Sequence, residues 1–316
     1  MTRHVLITGA NGYLGRALVR RLLETMPAAL YTLVDLRFDD ENGDAAVASN
    51  VQRVSGDLAD VAVLAQATEQ PPSLVFHLAG VTSRLAEADF ALGLRANLGA
   101  SVALFERLRA QARCPTLLFA SSIGVFGPPL PQSIDDRTVP QPALSYGTQK
   151  RMLEILLADY SRRGFIDGRA VRLPGIVARP PEASGALSAF ASDLIREPAA
   201  GRRYVCPVGP VATMWLLSLP RCIDALLQTV QVAPDRLPRS RVWNLPALRA
   251  SAADVVQALG RHLGRDVSAL VDYQPQAALL AQFAQWPPLD TAVAEALGQQ
   301  HDGDLAQLID HALKTA

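Results

Sequence analysis

The chain has 316 residues, with 30 Lys+Arg balanced by 30 Asp+Glu. This balance gives no basic surface for nucleic acid and no acidic tail. Apolar residues make up 49% and charged residues 19%, an ordinary globular composition, long enough for one large core or two unequal ones. Its apolar runs are short and broken by Arg, Asp or Pro, so no membrane span is expected. The N-terminus enters a strand directly instead of a signal peptide.

The first element is Val5-Leu6-Ile7-Thr8, which predicts a short buried strand. Gly9, Gly12 and Gly15 follow at G-x-x-G-x-x-G spacing, and a helical period then runs through Leu14, Ala17, Leu18, Arg21 and Leu22. A strand that turns through glycines into a helix N-terminus presents free N–H groups and a positive dipole end to a pyrophosphate. Gly9 permits the tight turn, Gly12 the approach of the phosphates, and Gly15 close packing of helix and strand. A second strand, Tyr31-Thr32-Leu33-Val34, ends in Asp35, 20 residues past Gly15. A carboxylate there accepts hydrogen bonds from the adenosine ribose and repels a 2′-phosphate, which favours NAD over NADP. Arg37, two positions on, is the residue that would pair with such a phosphate.

Residues 37–50 read as an acidic surface loop. Val51-Gln52-Arg53-Val54 predicts a third strand, leading to Gly56-Asp57-Leu58. Asp57 has two roles open to it, which are compatible: partner of the adenine amino group, or N-cap of a helix over 58–68. Ser73–Leu78 is a continuous apolar strand of the doubly covered kind. It delivers Ala79 and Gly80, small residues against which a ribose and nicotinamide can lie. A helix over 86–110 carries Asn97, and Thr116–Ala120 is a fifth strand that ends in Ser121-Ser122. This alternation predicts an α/β fold, a Rossmann-type doubly wound parallel sheet built of right-handed βαβ units.

Pro128, Pro129, Pro131, Pro140 and Pro142 make the next stretch a non-helical loop. It closes at Ser145-Tyr146-Gly147-Thr148-Gln149-Lys150, which opens a helix to Arg162. Met152, Leu153, Ile155, Leu156 and Leu157 make that helix apolar on more than one side. It therefore meets either a partner subunit or the chain's own C-terminal lobe, besides the sheet. Arg169–Leu173 is a sixth strand, stopped by Pro174. Beyond it the pattern loosens into a helix over 185–196, a strand at Met214–Leu217, a helix over 221–231, a strand at Val242–Leu245 and a mostly helical remainder. The expected division is a dinucleotide-binding domain over 1–173, rejoined by 239–247. A smaller, mostly helical substrate lobe covers 174–238 and 248–316.

Ser122 at a strand end and Tyr146 with Lys150 on one helical face point to proton transfer beside the nicotinamide. Alcohol oxidation removes the hydroxyl proton as hydride leaves the same carbon. An unassisted phenol titrates near pH 10, too high for a base at neutrality. The Lys150 ammonium and the positive nicotinamide ring both favour the phenolate, and Ser122 orients the reacting oxygen. Cys114, Cys206 and Cys222 lack C-x-x-C spacing and read as buried free thiols of a cytoplasmic protein. The histidines show no H-x-x-x-H pairing, so no metal site is expected.

The motifs T-G-A-N-G-Y-L-G (8–15), G-D-L (56–58), H-L-A-G (77–80), S-S-I-G-V-F-G (121–127) and Y-G-T-Q-K (146–150) resemble the extended short-chain dehydrogenase/reductase superfamily of the nucleotide-sugar epimerase and dehydratase type. The resemblance implies NAD as cofactor, Tyr146 as base, and Ser122 and Lys150 as its partners. It extends the cofactor contacts to Asn11, Tyr13, Leu14, Leu58 and Asn97, and to Leu173, Gly175 and Ile176 after the sixth strand. It also implies a homodimer joined through the helices around 86–110 and 145–162.

Within that superfamily, Tyr160–Phe165 with Asp167–Ala170, Arg172-Leu173-Pro174, Ala189–Ser192, Ile195–Pro198, Cys206-Pro207-Val208 and Asn244-Leu245-Pro246 look like the D-erythronate dehydrogenase group. That group oxidises the 2-hydroxyl of a four-carbon sugar acid to the 2-oxo acid. Residues 80–84 and 176–181 depart from the group's pattern beside the pocket, so another small hydroxy acid stays open as substrate. A buried carboxylate needs a cation or several donors. The candidates are Arg179 and Arg196, with Ser83, Ser121, Ser122 and Ser188 as partners for hydroxyl groups. The alternatives are a nucleotide-sugar epimerase or dehydratase, and a non-catalytic dinucleotide-binding protein.

Overall fold

The computed structural model describes residues 3–38, 49–181 and 189–315. Its strands are β1 (His4–Thr8), β2 (Leu30–Asp35), β3 (Val51–Ser55), β4 (Leu74–His77), β5 (Thr116–Ser122) and β6 (Asp167–Leu173), then β7 (Gly175–Val177), β8 (Tyr204–Cys206), β9 (Thr213–Ser218), β10 (Val242–Asn244), β11 (Leu248–Ser251) and β12 (Val271–Tyr273). Its helices are α1 (Tyr13–Thr25), α2 (Val61–Ala67), α3 (Ser83–Ala88), α4 (Phe90–Gly93), α5 (Ala100–Ala110) and α6 (Ser145–Arg162), then α7 (Phe190–Ala199), α8 (Leu219–Gln231), α9 (Ala252–Leu263), α10 (Ala277–Phe283), α11 (Ala292–Ala296) and α12 (Leu305–Lys314).

Among the described residues, a seven-stranded parallel sheet runs in the order β10-β6-β5-β4-β1-β2-β3. The doubly wound α/β sheet expected from the sequence is therefore present. Alternation along β1 shows how both faces are covered. Val5 and Ile7 join Leu18 and Leu22 of α1 and Leu226 of α8, while Leu6 joins Leu104 of α5 and Leu153 and Leu157 of α6. The strand order turns outward between β1 and β4, which opens a crevice at their carboxyl ends.

The C-terminal lobe has its own core, where Leu194, Ile195, Met214, Val255, Leu259, Leu308 and Ile309 pack together. It is less helical than its sequence suggests. A three-stranded sheet, β11-β9-β7, and a two-stranded one, β12-β8, lie among the helices. Strands of three or four residues leave no measurable period in a sequence.

The helix expected over 86–110 is broken into α3, α4, a π-helical turn at Leu94–Gly99, and α5. Asp89 causes the first break: its backbone is extended (φ −134, ψ 94) and its carboxylate caps the next turn at Leu92 N. Similarly, Asp60, and not Asp57, caps α2 by accepting from Ala62 N at 2.8 Å. Cys206 and Cys222 are buried, whereas Cys114 is exposed in the turn after α5. Most of the acidic loop and the beginning of the helix expected over 185–196 lie outside the described residues. Among the described residues, no helix is long and apolar enough to cross a membrane.

Candidate active site

The first turn after β1 is built by close backbone approach. Gly9 has φ +72, and a Cβ there would stand 2.7 Å from Ala79 N. A Cβ on Gly15 would stand 2.1 Å from the Gly9 carbonyl oxygen, so α1 can pack here only on glycine. Gly12 is the N-cap of α1. Among the described residues no side chain caps that end, and no acidic residue occupies its first turn. Free N–H groups therefore face the crevice lined by Gly9, Gly12, Leu14 and Gly15.

At the adenosine end, the Asp35 carboxylate accepts from Asn11 N and Leu36 N, both at 2.8 Å. Burial raises its pKa and these donors oppose the rise. The Asn11 amide donates to the Arg37 carbonyl at 3.0 Å. Asp57 accepts from Ala59 N at 2.9 Å and pairs with Arg95; Leu58 is buried in the core. Asn97 projects inward from the π-helical turn. Its Oδ1 accepts from Val81 N and its Nδ2 donates to Gln149 Oε1, both at 2.8 Å, which fixes the loop carrying Ala79 and Gly80. A Cβ on Gly80 would stand 2.8 Å from that Oδ1. Leu173, Gly175 and Ile176 line the crevice opposite. An uncapped helix end, a close-packed glycine turn and a carboxylate at the end of β2 fit a dinucleotide, which when bound supplies the hydride acceptor.

Ser122 ends β5, and Tyr146 and Lys150 stand one turn apart at the start of α6. The helix lies tight against the turn at Ile123–Val125: a Cβ on Gly147 would fall 2.0 Å from the Gly124 carbonyl oxygen. Ser122 Oγ accepts from Gly124 N at 3.0 Å and lies near enough to Tyr146 to favour its ionised form. Lys150 Nζ donates to the Ala120 carbonyl at 2.8 Å and lies 5.6 Å from the Tyr146 ring centroid. Burial pushes the Tyr146 hydroxyl up, and the nearby Ser122 hydroxyl and the positive charge of Arg179 oppose this. Burial also pushes Lys150 down to about 8, and the charge of Glu154 opposes this.

The candidates for substrate contact separate by position. Arg179 lines the crevice together with Ser122 and Tyr146, its guanidinium 5.7 Å from the Tyr13 ring centroid. Arg196 is engaged elsewhere, by Asp193 at 2.6 Å, Glu197 at 3.2 Å and the Arg179 carbonyl at 2.7 Å. Ser83 is buried and lines the crevice. Ser121 also lines it, but its hydroxyl donates to Glu154 at 2.6 Å. Ser188 lies outside the described residues.

The sequence reading missed the aromatic wall of Phe190, Trp215, Phe283 and Trp286. The two tryptophans have ring centroids 4.6 Å apart, and Trp215 Nε1 donates to the Pro287 carbonyl at 2.7 Å. The strand pattern around Trp215 was visible; its partner comes from 71 residues further along the chain, without a local signal.

A model of the NAD dependent epimerase/dehydratase family matches residues 5–212. The D-erythronate dehydrogenase of Cupriavidus necator is 43% identical over 97% of this chain and 96% of its own length. That of Haemophilus influenzae is 31% identical over 96% and 97%. Among solved structures, the nucleoside-diphosphate-sugar epimerase from Agrobacterium tumefaciens matches with a TM-score of 0.91 at 31% identity, covering 100% of this chain and 96% of that one. The resemblance read from the motifs is thus borne out: the chain belongs to the NAD dependent epimerase/dehydratase family, as an NAD-dependent dehydrogenase.

Proposed function

We propose that the chain oxidises the 2-hydroxyl of D-erythronate, or of a closely related short aldonate, to the 2-oxo acid with NAD⁺ as oxidant. The single observation that carries this reading is the position of Arg179. Among the described residues its side chain has no carboxylate partner, and it lines the crevice that holds Ser122 and Tyr146. A cation so placed offers the charge-assisted contact that a substrate carboxylate requires on leaving water. The two D-erythronate dehydrogenases at 43% and 31% identity support the same substrate class.

In this reading Ser122 donates to the substrate oxygen and sets its distance from Tyr146. The Tyr146 phenolate takes the hydroxyl proton, and NAD⁺, when bound, would supply the acceptor for the hydride of the same carbon, so that a carbonyl remains. Lys150 holds positive charge beside the phenol, which favours its ionised form. The products are the 2-oxo acid, NADH and one proton.

A second reading, a nucleotide-sugar epimerase, has one observation in its favour, the match to the Agrobacterium tumefaciens structure. The aromatic wall of Trp215, Phe283 and Trp286 lies in the same crevice as Arg179. The test is absorbance at 340 nm with NAD⁺ and a panel of C4–C6 aldonates, D-erythronate first. NADH from D-erythronate is expected. No NADH from any aldonate, together with turnover of a UDP-sugar, selects the epimerase instead.

A further inference from the structure

Tyr13 is the first residue of α1 and lines the crevice beside the glycine turn. Its backbone N–H belongs to the first turn of the helix, where no helical carbonyl takes it up. Its side chain reaches a segment 165 residues further along the chain. There the buried hydroxyl donates to the Ala178 carbonyl at 3.2 Å, and the Arg179 guanidinium lies over the ring, 5.7 Å from its centroid. A buried tyrosine needs some partner for its hydroxyl, so the first contact is what burial alone requires. The second is not.

The backbone that carries Arg179 is pinned at three points. Tyr13 holds the Ala178 carbonyl, Ser192 Oγ accepts from Arg179 N at 3.0 Å, and Arg196 donates to the Arg179 carbonyl at 2.7 Å. The Arg179 side chain has none of this support. Among the described residues its guanidinium has no carboxylate and no hydrogen-bond acceptor; it rests on the Tyr13 ring. A long side chain loses rotamer freedom when it is fixed on a ligand, and holding it in place beforehand removes part of that cost. A cation within about 6 Å of an aromatic face is attracted by the ring quadrupole. That attraction brings no anion to the guanidinium, so its charge stays available to a substrate acid group.

We propose that Tyr13 is a positioning residue for the substrate: its ring seats the Arg179 guanidinium, so the glycine turn of the cofactor crevice also sets the cation that receives the substrate carboxylate. The proposal rests on the reading of Arg179 as that cation.

Tyr13→Leu removes the aromatic face and keeps apolar bulk and the backbone N–H. KM for D-erythronate should rise roughly 10-fold, with kcat and KM for NAD⁺ within about threefold of native. Tyr13→Phe gives up the hydroxyl but keeps the face, and should recover most of that loss. In Arg179→Met there is no cation to seat, so adding Tyr13→Leu should raise KM no further. Should Tyr13→Leu not fold, phenylalanine and its pentafluoro analogue are compared at position 13. The two rings have nearly the same shape, but fluorine withdraws the negative face, so KM should rise in the fluorinated protein alone. A native KM in Tyr13→Leu or in the fluorinated protein overturns the proposal. So does a Tyr13→Phe protein as impaired as Tyr13→Leu, or additive losses in the double variant. Arg179→Met is assayed alone beside them. If its KM is native, the carboxylate reading itself fails; if its KM rises while that of Tyr13→Leu is native, Tyr13 alone loses its role.

Discussion

Arg196 donates to the backbone carbonyl of Arg179 at 2.7 Å. Both arginines look equally suited in the sequence to hold a substrate carboxylate, and this bond separates them. Arg196 spends its guanidinium on Asp193, Glu197 and that carbonyl, so it acts as a bracket for the segment carrying Arg179. Arg179→Met should raise KM for D-erythronate roughly 100-fold, the scale of a lost charge-assisted contact, and change KM for NAD⁺ little. Arg196→Met should have a smaller effect. Steady-state kinetics with each substrate varied in turn gives the answer, and an unchanged KM in Arg179→Met would remove the carboxylate assignment.

Tyr146→Phe keeps the ring against Lys150 and deletes the one oxygen that can accept the substrate proton. NAD⁺ affinity, measured by calorimetry, should be close to native. Oxidation should fall by roughly 100-fold or more, as expected for loss of general-base catalysis. Full activity in this protein would eliminate the Ser–Tyr–Lys mechanism.

Asp35 bears on the choice of cofactor. Its carboxylate is held in place by two backbone N–H groups. A 2′-phosphate charge about 5 Å away would be repelled by about 3 kcal/mol at an effective dielectric near 20, roughly 100-fold in affinity. Asp35→Ser should therefore raise the NADP⁺/NAD⁺ ratio of kcat/KM by a comparable factor, with Arg37 as the nearby cation. A ratio that does not move would mean that Asp35 does not set the preference.

The sheet was legible in the sequence because β1, β2, β4 and β5 are largely apolar runs that lead into Gly, Asp or Ser at the ligand edge. Tyr146 and Lys150 were legible for a similar reason: helical spacing is a local property. Elements that depend on distant partners were not. The strands β8 and β12 exist because Tyr204–Cys206 pairs with Val271–Tyr273, and neither segment announces this alone. Glu154 reads as a solvated helical charge until Arg172, 18 residues later, is placed beside it. The spacing of four from Lys150 was the available hint. The break at Asp89 was also open to reading, since an Asp followed by a new apolar turn is an N-cap signal.

Helix α6 buries Leu153 and Leu157 against the sheet, yet Met152 and Ile155 are 48% and 56% exposed. Phe90 and Leu94, on the neighbouring α4 and π-helical turn, are 61% and 43% exposed. The α6 pair lies on a side that the chain's own lobe leaves open, as expected if a second copy covers it. Light scattering after size exclusion should give a dimer, and Ile155→Asp should shift it to a monomer. A monomeric native protein would refute this assembly.

His77 should make stability fall in acid. It is fully buried, with Thr8 Oγ1 at 2.7 Å from Nδ1 and Ser101 Oγ at 2.7 Å from Nε2. Ser101 gives its single proton to the Asn97 carbonyl at 2.5 Å, so Nε2 must be the donor and Nδ1 the acceptor from Thr8. The Thr8 oxygen in turn accepts from Ala79 N at 3.3 Å, which leaves a second imidazole proton poorly placed. Burial, with the charge of Lys150, pushes His77 down to about 3 from 6.5. Between those values the unfolded chain binds the proton and the folded chain does not. Stability is therefore full above pH 6.5 and is lost as pH falls toward 3. From pH 7 to 5 the loss is about 2 kcal/mol. Urea unfolding of the native protein and His77→Gln at both pH values isolates this contribution, since other titrating groups are common to both. The native protein should lose more stability than the variant by about that amount, and parallel losses would show that the imidazole is not held neutral.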